Sequence, residues 1–225
     1  GIEQIEGGWA LHTNRGVLYT RAFVNCAGVY GGVLHNMIST RPVRIIPRRG
    51  QYYLLDRDEH LPFGMTMFQV PTKMGKGVLI SPTTHGNLLI GPTAEDIEDG
   101  GDVTTTADGL ADVLSKAALT WPDISTRSVI TNFSGIRAHE AGGDFIIGTV
   151  EGAGEGAFEA IGIESPGLTA APAIGEELGT WVAYFLQLPK KRYMRDVPPM
   201  PKAFSHMSPG EREAAEYVMG LLQEV

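Results

Sequence analysis

The chain has 225 residues, 43% hydrophobic and 20% charged, enough for a substantial core and two lobes. A net charge of −8, with no basic stripe interleaved with aromatics, argues against nucleic acid as a partner. No apolar run approaches the roughly 20 residues of a membrane span, no signal peptide is expected, and the single cysteine, Cys26, excludes an internal disulfide, so a reducing cytoplasm is the expected location.

Taken in order, residues 9–13 and 17–26 read as strands joined by the turn signal Asn14-Arg15-Gly16. The second ends in Phe23-Val-Asn-Cys-Ala-Gly28 and runs into a predicted helix over 29–38, a strand, small-residue, helix order found at nucleotide-binding sheet edges. Arg41, Arg44, Arg48 and Arg49 gather before Gly50-Gln51-Tyr52-Tyr53. They are either a solvated basic loop or a means of drawing an anionic substrate to an acidic protein, with a tyrosine lining its pocket. Strand signals follow over 51–55, 77–81, 88–91, 128–133 and 144–150, with the turn His85-Gly86-Asn87 between two of them. One amphipathic helix, 107–119, carries Leu110, Val113, Leu114 and Ala118 on one face. Strands joined by turns predict an α+β fold with a mainly antiparallel or mixed sheet.

The strand over 157–163 meets the turn Ser165-Pro166-Gly167, and a helix opens at Leu168 with Ile174, Leu178, Trp181, Val182 and Phe185 on its apolar face. Backbone N–H groups at that helix start, beside a glycine permitting close approach, suit an electron-rich ligand edge. A Pro- and base-rich linker over 189–202 leads to a helix expected over 209–224, with Ser208 as its N-cap.

Several chemistries find no support. Gly152-Ala-Gly154-Glu-Gly156-Ala157 fits a dinucleotide fingerprint by spacing, but lacks the helix behind it and is read as a hairpin turn. The six histidines have no metal-ligand spacing, and no G-x-S-x-G elbow is present. Cys26, inside an apolar strand, is expected to be buried and inert. Arg137, after a glycine at the end of a β-prone run, is either an ordinary surface arginine or a planar fork for a carboxylate or phosphate.

Five runs, in order, carry a resemblance. They are Phe23-Val-Asn-Cys-Ala-Gly28; Pro47-Arg-Arg-Gly-Gln-Tyr-Tyr-Leu-Leu-Asp56; Ser81-Pro-Thr-Thr-His-Gly-Asn-Leu-Leu-Ile-Gly-Pro-Thr-Ala-Glu-Asp96; Phe133-Ser-Gly-Ile-Arg137; and Gly162-Ile-Glu-Ser-Pro-Gly-Leu-Thr-Ala-Ala-Pro172. The chain resembles the FAD-dependent oxidoreductases of the D-amino-acid-oxidase superfamily, in the branch of glycerol-3-phosphate and L-2-hydroxyglutarate dehydrogenases. The resemblance implies an FAD-dependent oxidation of a small anionic secondary alcohol, glycerol 3-phosphate or alternatively an L-2-hydroxyacid. It implies that Ala27, Gly28, Gly162, Ile163, Ser165, Gly167, Leu168 and Thr169 lie along the cofactor. Arg137 binds the substrate anion, and Arg49, Gln51 and Tyr52 belong to the pocket wall. His85 and His139 sit in matched runs, and no catalytic base is assigned.

On this resemblance residues 1–37 are residual strands and a helix of the FAD-binding domain, and 38–145 the substrate-binding sheet domain. Residues 146–188 return to the FAD-binding layer with its last helix, and 189–225 are linker and C-terminal helix. The Gly-rich Rossmann half is not among these residues, so the chain is expected to be a fragment that neither holds flavin nor turns over by itself. The run Met207-Ser-Pro-Gly-Glu-Arg212 resembles the region that precedes a small iron–sulfur domain in some members, though the cysteines are not present. A non-catalytic interaction module that retained the cap fold is the alternative from another class.

Overall fold

The computed structural model describes residues 1–57, 63–70, 77–189, 202 and 206–215, and divides into two units, Gly1–Leu188 and Pro189–Val225. The first unit opens with an antiparallel meander of β1 (Ile2–Ile5), β2 (Gly8–Thr13) and β3 (Gly16–Thr20). Its second turn uses Gly16 at φ +123°, and the Thr13 hydroxyl donates to the Gly16 carbonyl. Trp9, almost fully buried, packs edge-on against Phe23 and donates its indole N–H to the Glu155 carbonyl, 2.9 Å away.

The strand expected over 17–26 is two strands. The Thr20 hydroxyl donates to the carbonyl of Ala22 and accepts from its N–H. This local turn breaks the meander and sends β4 (Phe23–Asn25) to a different sheet. Cys26 lies beyond the end of β4 and is exposed, contrary to the buried position expected of it. The predicted helix over 29–38 is a 3-10 turn, Gly28–Tyr30, followed by the short α1 (Gly31–Asn36). The amide of Asn36 stops it by bonding both the N–H and the carbonyl of Val43.

The central sheet is built on two long strands, β5 (Ile45–Leu55) and β9 (Val129–Glu140), antiparallel along nearly their whole length. β6 (Leu79–Pro82), β7 (Leu88–Gly91) and the short β8 (Glu95–Asp96) complete it in the order β6-β7-β5-β8, with β9 also on β5. α2 (Ala107–Ala117) packs Val113 and Ala117 onto Leu55, Val78, Ile80, Leu88 and Ile90. Burial of one such aliphatic side chain contributes about 1.5–3 kcal/mol.

The third sheet joins β10 (Ile146–Thr149), β11 (Ala157–Ile161) and β4. β10 and β11 form the antiparallel hairpin expected of the Gly152–Gly156 run, while β11 pairs parallel with β4. All five residues of β11 are buried, as suits a strand covered on both faces. α3 (Gly167–Phe185) covers one face, its Ile174, Leu178, Trp181, Val182 and Phe185 packing on Phe158 and Ala160 as its periodicity predicts.

In the second unit, helical structure begins at Pro209 and is described to residue 215. Ser208 caps it in a reciprocal box with Glu211: the Ser208 N–H donates to the carboxylate and the Glu211 N–H to the hydroxyl. The expected continuation over 216–224 and most of the linker lie outside the described residues. No helix among the described residues is long and apolar enough to cross a membrane.

Candidate active site

Successive residues of a strand face opposite sides of its sheet, and this alternation sorts the residues expected at the substrate wall. Arg48, Gly50 and Tyr52 of β5 stand in register with Arg137, Gly135 and Phe133 of β9, so all six share a face. Arg49 and Gln51 belong to the other face, the one covered by α2. Arg49 is buried in a double ion pair, 2.9 Å to Glu95 and 2.8 Å to Asp102, with Thr104 also accepting from it. The hydrogen bond to Glu95 raises its already high pKa against the opposing effect of burial. Gln51 is fully buried: its Oε1 accepts the Thr106 N–H at 2.7 Å and its Nε2 donates to the Thr106 hydroxyl at 3.1 Å, fixing the start of α2. The structure therefore brings Arg137 and Tyr52 together and puts Arg49 and Gln51 behind them as framework.

Among the described residues Arg137 makes one hydrogen bond, from Nη2 to the Thr93 carbonyl at 2.8 Å. Its Nε is buried with no hydrogen-bond partner, and it makes no ion pair among the described residues. A buried guanidinium donor without an acceptor is a costly arrangement unless something else binds it. Glycine makes the room: a side chain at Gly50 would begin 3.6 Å from Nη2 and 2.8 Å from Pro92. Beside the arginine, Tyr52 and Phe133 stack with centroids 5.2 Å apart and planes at 12°. Burial raises the Tyr52 phenol pKa while the charge on Arg137 pulls it down.

Two further pairs lie on or beside this face. Arg48 forms a two-point ion pair with Asp96, at 2.6 and 3.1 Å, which holds the Asp96 carboxyl below its ordinary value. His139, two residues beyond Arg137 on the same face of β9, meets Glu164 at 2.8 Å. The His139 position follows from period-two alternation once β9 is known to extend past Arg137. Glu164 and Asp96 reach this face only through tertiary contacts and carry no local signal.

The residues expected at the cofactor converge through the parallel pair. With Asn25 of β4 opposite Glu159 of β11, the segments Ala27-Gly28 and Gly162-Ile163 leave neighbouring strands at the same level. Ligands in α/β sheets collect outside the carboxyl ends of parallel strands. Gly28 is exposed at φ +56°, and apart from its chain neighbours no described residue lies within 4 Å of where a side chain would begin. Gly162, at φ +68°, passes so close to Glu140 that a Cβ would lie 2.7 Å from that residue's own Cβ. Ser165, Leu168 and Thr169 are exposed, Leu168 by 94%. Ile163 differs: its side chain joins the apolar cluster under α3, and Gly167 fits against its Cγ2, leaving only its backbone toward the open side. α3 begins at Gly167 with no side-chain cap and no acid in its first turn, so its positive end is unopposed.

A cleft of about 260 Å³, lined by Glu140, Asp144, Gly162, Glu164, Ser165 and Pro166, lies along this loop. A larger one of about 790 Å³, lined by His35, Arg41, Glu159 and Trp181 among others, contains none of the expected site residues. Its buried polar pair, His35 and Glu159, is already mutually bonded. No group of three His, Cys, Asp or Glu side chains capable of holding a metal occurs among the described residues.

An uncapped, acid-free helix start and a bare positive-φ glycine lie at the ends of two parallel strands, with a guanidinium on a neighbouring sheet, an arrangement that can admit an electron-rich, planar group and an anion. Residues 1–181 match the DAO family of FAD dependent oxidoreductases, and the chain belongs to that family. It is 46% identical over 173 residues to glycerol 3-phosphate dehydrogenase of Caloramator mitchellensis, covering 77% of this chain and 36% of that protein. It is 32% identical over 183 residues to glycerol 3-phosphate oxidase of Mycoplasma pneumoniae, covering 78% of this chain and 47% of that one. The structure of dithionite-reduced L-alpha-glycerophosphate oxidase from M. pneumoniae with FAD bound superposes with a TM-score of 0.73 at 31% identity, over 80% of this chain and 48% of that chain. The chain thus spans between about a third and a half of the relatives it matches.

Proposed function

We propose that this chain forms the substrate wall and one side of the flavin site of an FAD-dependent dehydrogenase that oxidises a small anionic secondary alcohol, glycerol 3-phosphate before others. The observation that supports this reading is Arg137, a guanidinium with a buried Nε that has no partner and no paired carboxylate among the described residues, set on the same sheet face as Tyr52 and Phe133. A phosphate would take up the free donors in the two-point geometry that arginine favours.

The remaining residues orient and shield. The Tyr52–Phe133 stack gives the carbon chain an apolar surface and keeps water from one side of it. FAD, when bound, supplies the hydride acceptor. The backbone at Gly28 is open to its close approach, and the start of α3, carrying the positive end of the helix dipole, favours negative charge beside Leu168 and Thr169.

The test is anaerobic flavin bleaching in the FAD-loaded protein that carries this chain, with glycerol 3-phosphate and L-2-hydroxyglutarate as alternative reductants. Rapid bleaching by glycerol 3-phosphate is expected, and Arg137→Lys should raise its KM at least tenfold, since one lysine donor replaces a fork. Bleaching by L-2-hydroxyglutarate alone overturns the substrate assignment, and an unchanged KM in the variant overturns the role of Arg137.

A further inference from the structure

We propose that Thr93 is a positioning residue of the anion site: its hydroxyl takes the place of its own backbone carbonyl in the sheet, and the carbonyl so released aims the Arg137 guanidinium. The inference rests on the anion-binding reading of Arg137 given above.

The register of β5 with β7 and β8 supplies the reason. Arg48 and Arg49 face Asp96 and Glu95 at one end, and Tyr53 faces Ile90 at the other. Four steps along β5, from Arg49 to Tyr53, therefore stand against five from Ile90 to Glu95, and the longer side bulges by one residue. Continued inward from Glu95, the register sets Thr93 opposite Gln51. A hydrogen-bonded pair of this kind in an antiparallel ladder exchanges two backbone bonds. Only one of the two is made by backbone alone: the Thr93 N–H donates to the Gln51 carbonyl at 3.3 Å. The Gln51 N–H donates to the Thr93 hydroxyl at 3.0 Å, where a regular ladder would use the carbonyl.

The freed carbonyl accepts Arg137 Nη2 at 2.8 Å. Arg137 stands on β9, at the other edge of β5, so its guanidinium has to cross that strand. It crosses at Gly50, where a Cβ would lie 3.3 Å from the Thr93 carbonyl oxygen and 3.6 Å from Nη2. Thr93 itself is buried, with 6% exposure. A carbonyl anchor uses one of the five guanidinium donors, fixes the direction of the fork and carries no charge to oppose an incoming anion. Arg49 shows the contrary case, its guanidinium closed by Glu95 and Asp102. A fork that is already aimed loses less freedom when its ligand arrives.

The test compares Thr93→Val, which keeps the shape and removes the hydroxyl, with Thr93→Ser, which keeps the hydroxyl. Both are made in the FAD-loaded protein that carries this chain and assayed with whichever of the two reductants bleaches its flavin. Thr93→Val should raise KM about three- to tenfold, as for the loss of one hydrogen bond, and change kcat less than about twofold. Inhibition by inorganic sulfate, competing for the anion site, should weaken by the same factor. Thr93→Ser should restore both constants to within about twofold of the parent. In an Arg137→Lys background, Thr93→Val should add little to KM, because the group it acts through is gone. A parent-like KM in Thr93→Val, or an equal KM increase in both backgrounds, overturns the positioning role and leaves the anion site standing. Should Thr93→Val not retain FAD, Thr93→Ala takes its place, and a tenfold rise of KM in Thr93→Ser overturns the inference whatever the other variants do. If Arg137→Lys leaves KM and sulfate inhibition unchanged, the anion-site reading falls and this inference with it.

Discussion

At the scale of single residues, the buried His35–Glu159 pair sets a proton balance that the fold must respect. Both ring nitrogens of His35 face acceptors: Nδ1 lies 2.9 and 3.0 Å from the Glu159 carboxylate oxygens, and Nε2 lies 2.8 Å from the Arg41 carbonyl. Both contacts are hydrogen bonds only if the pair holds one proton beyond a neutral imidazole and a carboxylate. Burial raises the Glu159 pKa above its ordinary value of 4.5, with His35 working against the rise. A raised folded pKa contributes stability that is full below 4.5 and is lost as pH climbs through the folded value. Glu159→Gln, which removes the desolvated charge and keeps a hydrogen-bonding side chain, should therefore gain stability relative to the parent as pH rises. Urea midpoints at pH 5 and pH 8 read this directly, and a parallel pair of profiles rules it out. Arg49 and Arg137 make a second contrast at this scale. Arg49→Met removes the centre of a buried ion-pair cluster and should cost about 1–3 kcal/mol in thermal or denaturant melts. Arg137→Met leaves no carboxylate of the described residues unpaired and should cost less than about 1 kcal/mol. Equal losses would place both arginines in the framework.

At the scale of elements, α2 is set by what lies under its first turn. Thr106 caps the helix, its hydroxyl accepting the Gly109 N–H at 3.1 Å, and Gln51 bonds the backbone and hydroxyl of that same threonine. A Cβ at Gly109 would lie 2.1 Å from Gln51 Nε2. Glycine to alanine in a helix ordinarily stabilises by about 0.5–1 kcal/mol. Here the sign should reverse: Gly109→Ala displaces a fully buried, fully bonded amide and should destabilise by about 1–3 kcal/mol, read as a lowered melting temperature. A melting temperature at or above the parent's would show that Gln51 yields without cost. The amphipathic pattern of α2 and α3 was legible because their apolar faces repeat at 3.6 residues. The lengths of β5 and β9 were not. Ile45-Ile-Pro-Arg-Arg-Gly50 looks like a basic loop by local propensity, and Gly135 and Arg137 look like a strand's end. Each is extended because the other pairs with it from Ile45↔Glu140 to Leu54↔Thr131. The fate of Arg49 follows from the same cause, since only the register shows which of two adjacent arginines faces α2.

At the scale of the whole molecule, one parallel pairing joins segments more than a hundred residues apart into a single proposed cofactor wall. The glycines at those strand ends were legible as residue types in ordered motifs, but their juxtaposition was not, because no local pattern announces a parallel partner across so much chain. The two glycines also separate the demands of folding from those of binding. A side chain at Gly162 would collide with Glu140, so its replacement disturbs the loop that carries Glu164 whatever binds there. A side chain at Gly28 would meet no atom of the described residues within 4 Å beyond its chain neighbours, so the folding cost of Gly28→Ala is that of holding alanine at φ +56°, about 1–2 kcal/mol. Any larger effect on FAD comes from the ligand itself meeting the new methyl group. In the FAD-loaded protein that carries this chain, Gly28→Ala should melt only a few degrees lower when stripped of flavin, yet weaken FAD binding tenfold or more by fluorescence titration. An unchanged FAD affinity at that modest folding cost would remove Gly28 from the cofactor wall and leave the ligand nearer to the start of α3 alone.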